Sequence, residues 1–475
     1  MKKQAFNPYL PSWEYVPDGE PYLIGGRVYV FGSHDHFGGK EYCPGDYVCW
    51  SAPEDDLGDW RYEGVIYRKT QDPLATPRDR VLFAPDVVQG RDGRWYLYYT
   101  LASNGIMSVA VCDTPAGQYE YLGAVRTADG HIIGSVAGDL FQFDPGVLMD
   151  DDGCIYLYSG FSPRPGPWAD EIFCGKVGDG AYCMQLADDM LTVVRGPVRI
   201  AEGVCCAKGT SFEEHPFFEA SSIRKIGGKY YFSYSSVHMH ELCYAVSDSP
   251  MGGFSYRGVL VSNGDIGFEG RAYRDALNYM GNDHGGLVCV KGQWYAFYHR
   301  HTNRSVYSRQ TCAEAIEFRD GAFSQAELTS CGLNGGPLKG AGYYPAYIAC
   351  NLVSAHGVCF SDRAGENDPC FTQDGGDREG GDPQYIAGLR KGAWAGFKYF
   401  DLTKTKAICV TARGAGGLLV VSDTEGELAR IRLQESKEWT KHPADLLRQS
   451  GERAALFLRY EGDGSIDLKG FLLTE

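Results

Sequence analysis

One pattern recurs five times in the first 310 residues: a glycine followed by a short run of β-branched and aromatic residues. The copies are Gly26–Ser33, Gly93–Thr100, Gly153–Gly160, Gly228–Ser235 and Gly292–His299. A turn residue leading into such a run reads as the second strand of a hairpin. A shorter apolar segment precedes each copy, at Glu20–Ile24, Ala84–Val88, Asp144–Leu148, Glu219–Ile223 and His284–Val288. These segments are expected to be the first strands of the same hairpins. The copies lie roughly 60–75 residues apart, and regular repetition of one small antiparallel sheet predicts radial closure. The fold expected is all-β and opens with a five-bladed β-propeller. Minimal propeller repeats take about 40–45 residues, so long loops must be inserted between the strands. A β-sandwich built from the same strands is the alternative, and so regular a paired motif argues against it.

The pattern stops near residue 310. A glycine-rich stretch, Ser330–Pro337, reads as a domain joint. Short strand-like runs follow at Ala407–Ala412, Gly417–Val421, Ala429–Leu433 and Ala454–Tyr460. They predict a second all-β unit, a jelly-roll β-sandwich. The expected division is a propeller over residues 1–330 and a sandwich over 345–475.

Charge and composition narrow the function. The 475 residues carry 45 Lys+Arg against 61 Asp+Glu, a net −16, the wrong sign for neutralising nucleic-acid phosphates. No apolar run approaches the roughly 18 residues that cross a bilayer, so no membrane partner is expected. No apolar stretch follows Lys2 and Lys3 to make an export leader. The 16 cysteines are dispersed apart from Cys205-Cys206 and form no Cys-x-x-Cys pair. They are expected to be free thiols in a reducing cytoplasm.

In a propeller the first strands of all blades converge on one central funnel, which singles out the polar residues at their starts: Asp18, Asp86, Asp144, Glu219 and His284. Carboxylates converging on one axis repel one another and cost stability unless something uses them. Two carboxyl groups across a sugar are what glycosidic hydrolysis requires, one to protonate the leaving oxygen and one to activate water or attack the anomeric carbon. Each residue also has a simpler reading. Asp18 is a turn residue before a strand, Asp144 an extended polar residue before Pro145, and His284 a hydrogen-bonded core histidine. Asp150–Gly153 reads as a hairpin turn, not a calcium loop.

Taken in order, one per blade, these segments resemble glycoside hydrolase family 43. Pro17–Pro21 through Gly32–Asp35 is similar to its first blade, which supplies the general base, and Phe83–Val87 to its second, with Phe83 where a Trp is more usual. Phe143–Val147 resembles the segment whose Asp orients the acid, Phe218–Ile223 the segment carrying the acid, and Asp283–Gly286 the segment whose His lies near a bound calcium. The resemblance implies Asp18 as base, Asp144 as modulator of the acid's pKa and Glu219 as acid. Glu20, two residues from Asp18, stays open as the base because Asp18 is followed by Gly19 where the family often has Pro. Phe83, Asp86, His34 and Asp35 are implied sugar-binding positions, and Arg309 is either a sugar contact or a surface arginine. A structural calcium near His284 is implied. His299–His301 reads as funnel wall.

The C-terminal unit resembles a family 6 carbohydrate-binding module, through Asp374–Asp377, Gly392–Tyr399, Trp439 and Ser465–Leu468. Ser465 stands where that module usually has a sugar-binding Asn, and Trp394 and Trp439 are either sugar platforms or core residues. The function implied is an inverting, exo-acting hydrolase that releases xylose or L-arabinofuranose from short plant-derived oligosaccharides. Alternatives are a non-catalytic sugar-binding propeller, or a five-bladed glycosidase acting on arabinan or galactan ends. The oligomeric state is left open.

Overall fold

A computed structural model describes residues 3–76, 81–101, 104–378 and 380–475. The chain is all-β, and its first 316 residues form five consecutive antiparallel sheets. The first sheet holds β1 (Glu20–Ile24), β2 (Arg27–Phe31), β3 (Tyr47–Pro53) and β4 (Arg61–Tyr67). The second holds β5 (Asp86–Gln89), β6 (Trp95–Thr100), β7 (Met107–Cys112) and β8 (Glu120–Ala124). The third holds β9 (Gly146–Met149), β10 (Ile155–Ser159), β11 (Gly180–Leu186) and β12 (Val193–Glu202), with helix α1 (Pro167–Phe173) between β10 and β11. The fourth holds β13 (Phe217–Ile226), β14 (Lys229–Ser236), β15 (Glu241–Ser247) and β16 (Ser255–Ser262). The fifth has three strands, β17 (Leu287–Val290), β18 (Gln293–His301) and β19 (Arg309–Ile316).

Every glycine-led run of the sequence is thus the second strand of a hairpin, as its pattern predicts. Asp150–Gly153 is the tight turn between β9 and β10, where the Gly153 N–H donates to the Asp150 carbonyl at 2.8 Å. First strands of neighbouring sheets pack on one another, β5 and β13 on β9, and β1 on β17. Glycine permits that approach. A Cβ on Gly146 would lie 3.0 Å from the Ser221 carbonyl oxygen, and one on Gly286 only 2.4 Å from the Glu20 carboxylate.

The fifth sheet ends at β19, whose free edge would expose unpaired backbone groups. The N-terminal segment covers it. The Asn7 side chain accepts from the Ala313 N–H and donates to the Ala313 carbonyl, both at 3.0 Å, and so replaces a strand's hydrogen bonds.

Beyond residue 330 two further sheets share one hydrophobic core, built on residues such as Phe397, Phe400, Leu458 and Phe471. Their pairing begins at Leu338–Lys339 and Gly342–Pro345, before residue 345. This C-terminal part is bolted to the sheets before it. Buried Arg300 donates to the Tyr347 carbonyl at 2.6 Å and stacks on Phe371, and Lys398 bridges Asp265 at 3.3 Å and Glu327 at 2.9 Å. All 16 cysteines are free. Among the described residues no helix is long and apolar enough to cross a membrane.

These contacts make the C-terminal part integral. A chain ending at residue 337 strips Arg300 and Asp265 of their buried partners and should be insoluble or inactive, measured by soluble yield and hydrolysis. Full activity in that chain would contradict the reading.

Candidate active site

The starts of β1, β9 and β13 bring Asp18, Asp144 and Glu219 to the floor of one cavity of about 520 Å³. Local backbone shape aims them. Asp18 (φ 58°) and Asp144 (φ 44°) sit in the left-handed region, which Asp tolerates better than most residues. Such strained residues are held only where the surroundings over-determine them. Register shifts on either side of Glu219 make β13 bulge against β14, with Ala220 at φ 69°. The bulge points the Ala220 N–H at Asp144 Oδ2, 3.0 Å away. A bulge re-aims a side chain, and here it turns Glu219 into the cavity while Asp144 pins the bulge.

Arg309, at the start of β19 and 2% exposed, organises the charges. Its Nη1 donates to Asp18 Oδ1 at 2.9 Å, and its Nε and Nη2 grip Asp35 at 2.8 and 3.1 Å. Nη2 also meets Cys43 Sγ at 3.2 Å. Of the guanidinium's five N–H groups, this leaves one to reach the cavity.

The protonation pattern follows. Burial pushes Asp18 up, but the charge of Arg309 and contact with His299 outweigh it, and the carboxyl ends well below the usual carboxylate range. Glu219 has no such partner. Burial and then the charge of Asp18 raise it from 4.5 to about 8, against weaker opposition from Arg309 and Asn282. Asp144 is also pushed well above its ordinary value, by burial and the charges of Glu219 and Asp18. Asp144 and Glu219 thus share one buried site in which ionising either carboxyl disfavours ionising the other. Burial lowers His284 to about 4, so this ring, 3.5 Å from Asp144 Oδ2, is neutral at neutral pH.

Of the residues read as sugar contacts, Phe83 and Arg309 line the cavity with the three carboxyls and His284. Asp86, His34 and Asp35 do not. Asp86 is fully buried beneath the floor, accepting from Tyr22 Oη at 2.6 Å and from the Val147 N–H at 2.7 Å. It ties three first strands together. His34 lies between Glu14 (Nε2–Oε1, 3.0 Å) and Arg378, and Asp35 stands behind Arg309. Glu20 is spent on Ser222 (2.9 Å) and Arg224 and does not reach the cavity. His299 faces Asp18, its Nδ1 lying 3.3 Å from both the Asp18 backbone nitrogen and Oδ1.

Beyond Phe83, the cavity's apolar wall is absent from the sequence reading. Phe83, Phe143, Phe161 and Phe218 form a chain of rings with centroids 4.9, 4.9 and 5.3 Å apart. Trp168 on α1, 57% exposed, stands edge-on to Phe161 at the mouth. Phe143 and Phe218 directly precede the predicted acids, which was a usable signal; Phe161 and Trp168 come from a loop and an isolated helix.

Residues 17–323 match the family model described as "Glycosyl hydrolases family 43". A xylosidase/arabinosidase of Thermoclostridium stercorarium is 50% identical over 486 residues, covering 100% of this chain and 99% of that protein. A solved family 43 β-xylosidase/α-arabinofuranosidase from a compost microbial metagenome, in complex with xylotriose in a calcium-free form, is 25% identical with a TM-score of 0.53. It covers 68% of this chain and 98% of its own. A family 43 arabinoxylan arabinofuranohydrolase of Bacillus subtilis, 19% identical with a TM-score of 0.51, covers 99% of this chain and 97% of its own, a likeness of fold alone.

The charge pattern has a direct readout. Carboxyl 13C NMR should show Glu219 titrating near 8, and Asp18→Asn should move it down by removing the neighbouring anion. A Glu219 titration near 4.5 in the unaltered chain would contradict the pattern.

Proposed function

The chain belongs to glycosyl hydrolase family 43, and we propose that it releases xylose or L-arabinofuranose from the ends of short oligosaccharides, with inversion at the anomeric carbon. It is a glycoside hydrolase. One observation carries the assignment of roles: two carboxyls in one cavity are driven apart in protonation, Asp18 downward and Glu219 to about 8. Such divergence marks an acid and a base. Glu219 gives its proton to the leaving oxygen while Asp18 takes one from the attacking water. Asp144 holds the Ala220 bulge and so the aim of Glu219. Glu20 is held by Ser222 and Arg224 and does not line the cavity, which supports Asp18 as the base.

The substrate reading rests on the family and on the full-length relative described as a xylosidase/arabinosidase. The ring wall supports it, since flat aromatic faces suit the C–H faces of sugars. The remaining N–H of Arg309 supplies a hydroxyl contact.

We read the five sheets as the blades of a propeller over residues 1–330; the packing of β1 on β17 supports closure. We read the C-terminal part, 345–475, as a jelly-roll sandwich like a family 6 carbohydrate-binding module in architecture, used as a brace. Trp439 is covered by Arg413 at 4.3 Å, and Trp394 packs edge-on against Phe457 at 5.6 Å, which leaves neither as an open platform. The free thiols support a reducing, cytoplasmic compartment.

Calcium prefers six to eight oxygen ligands. Near His284 most carboxylates are engaged, and the buried Asp283 Oδ2 is the oxygen without a partner. His284, which lines the cavity, would hold such an ion, with water supplying most of the oxygen shell. Its chemistry there would be charge compensation below the funnel.

Proton NMR of the first product from 4-nitrophenyl β-D-xylopyranoside tests the proposal. The α-anomer should appear first. Glu219→Gln should lose about 10²–10⁴-fold on xylobiose and far less on the nitrophenyl substrate, whose leaving group needs little protonation. A β-anomer appearing first, or equal losses on both substrates, would overturn it.

A further inference from the structure

Outside the funnel, the described residues hold one group of side chains with metal-ligating chemistry: His215, His238 and Glu241, whose donor atoms all lie within 4.8 Å of one another. His215 stands two residues before β13. His238 and Glu241 belong to the turn from β14 into β15. His215 Nδ1 is 2.7 Å from Glu241 Oε1, which also accepts from Ser236 Oγ at 2.5 Å. The His215 ring is stacked on Tyr256 at 4.5 Å and 9°. Glu241 is buried, His215 half-buried and His238 exposed, so a hydrated cation has an entry path.

A His–Glu hydrogen bond alone explains two of the three residues. It leaves out His238, whose Nε2 lies 2.9 Å from the Glu214 carbonyl. A carbonyl only accepts, so Nε2 carries the proton and the lone pair is on Nδ1. A ring nitrogen donating to a backbone carbonyl is the usual support for a metal-binding histidine, fixing its tautomer and orientation.

We infer that His215, His238 and Glu241 form a binding site for a zinc-class divalent cation that fastens the funnel wall beside Glu219. Two imidazoles and one carboxylate suit Zn²⁺ and its borderline neighbours, whereas Ca²⁺ and Mg²⁺ take oxygen shells. Three protein donors leave a fourth position for water. Binding displaces the proton shared by His215 and Glu241, and the pair parts by about 0.7 Å, from 2.7 Å to the spacing of about 3.4 Å between ligands on tetrahedral zinc. The cation would link the 236–241 turn to the segment leading into Glu219. That turn carries Val237 and Met239, both lining the cavity, and the Val237 N–H already donates to the Pro216 carbonyl at 3.0 Å. The site is therefore a staple on the acid's side of the funnel, separate from the reacting atoms. It does not depend on the proposed substrate.

Titration calorimetry and thermal unfolding of the metal-stripped full chain with Zn²⁺ test this. Cys174→Ser/Cys205→Ser/Cys206→Ser removes the exposed thiols and the half-buried neighbour of one of them as competing ligands, and should bind one Zn²⁺ with a raised Tm. Adding His238→Ala, at an exposed position that leaves the fold intact, should weaken binding at least tenfold and abolish the Tm rise; Glu241→Gln should do the same. Absence of binding in the serine-substituted parent, or His238→Ala binding as tightly as that parent, would overturn the inference.

Discussion

The active site depends on one buried guanidinium. Arg309 is enclosed between Asp18 and Asp35, and without its charge two carboxylates would face each other in a low-dielectric floor. Removing one partner from such a buried cluster typically costs about 3–5 kcal/mol. The same ion fixes the protonation of the whole site. Burial, reinforced by the negative charge that Asp18 keeps, drives the carboxyls near it, Asp144 and Glu219, upward. An Asp18 that stays ionised follows from where one arginine is tied, and a Glu219 that keeps its proton follows from burial beside that anion.

The clamp is built across long sequence distances. Arg309 comes from the last of the five sheets, and Asp18 and Asp35 from the first. The meeting of the first and fifth sheets, where β1 packs on β17, is thus what brings Arg309 to Asp18. A second layer continues the linkage into the C-terminal part. Arg378 reaches Glu14 at 3.1 Å and contacts His34, and Asp377 accepts from the Phe37 N–H at 2.7 Å. The loop carrying Asp35 is therefore held from both sides.

The hairpins were legible because their signal is local: a glycine turn and a β-branched or aromatic run. Asp18 and Asp144 were legible for a related reason, since each stands just before a first strand and lines the cavity, whereas Glu219 lies inside its strand and reaches the cavity at the bulge. The same logic misplaced Asp86. It begins its strand, but its side chain turns beneath the floor to serve three backbone and hydroxyl donors. His34 and Asp35 were misread as sugar contacts because nothing local distinguishes a funnel-facing side chain from one behind it. The β13 bulge and the ring wall depend on neighbours far away in sequence, and Trp168 lies in an inserted helix with no repeat to place it. Pattern locates a strand; only packing decides which of its polar residues meets the cavity.

The most direct test of this dependence is the titration of Asp18 itself, followed by carboxyl 13C NMR in the unaltered chain and in Arg309→Met. With Arg309 present, Asp18 should stay ionised to the lowest pH at which the chain remains folded. Without it, burial should dominate and Asp18 should titrate above its ordinary value of 3.8. An Asp18 that remains fully ionised in Arg309→Met would contradict the account.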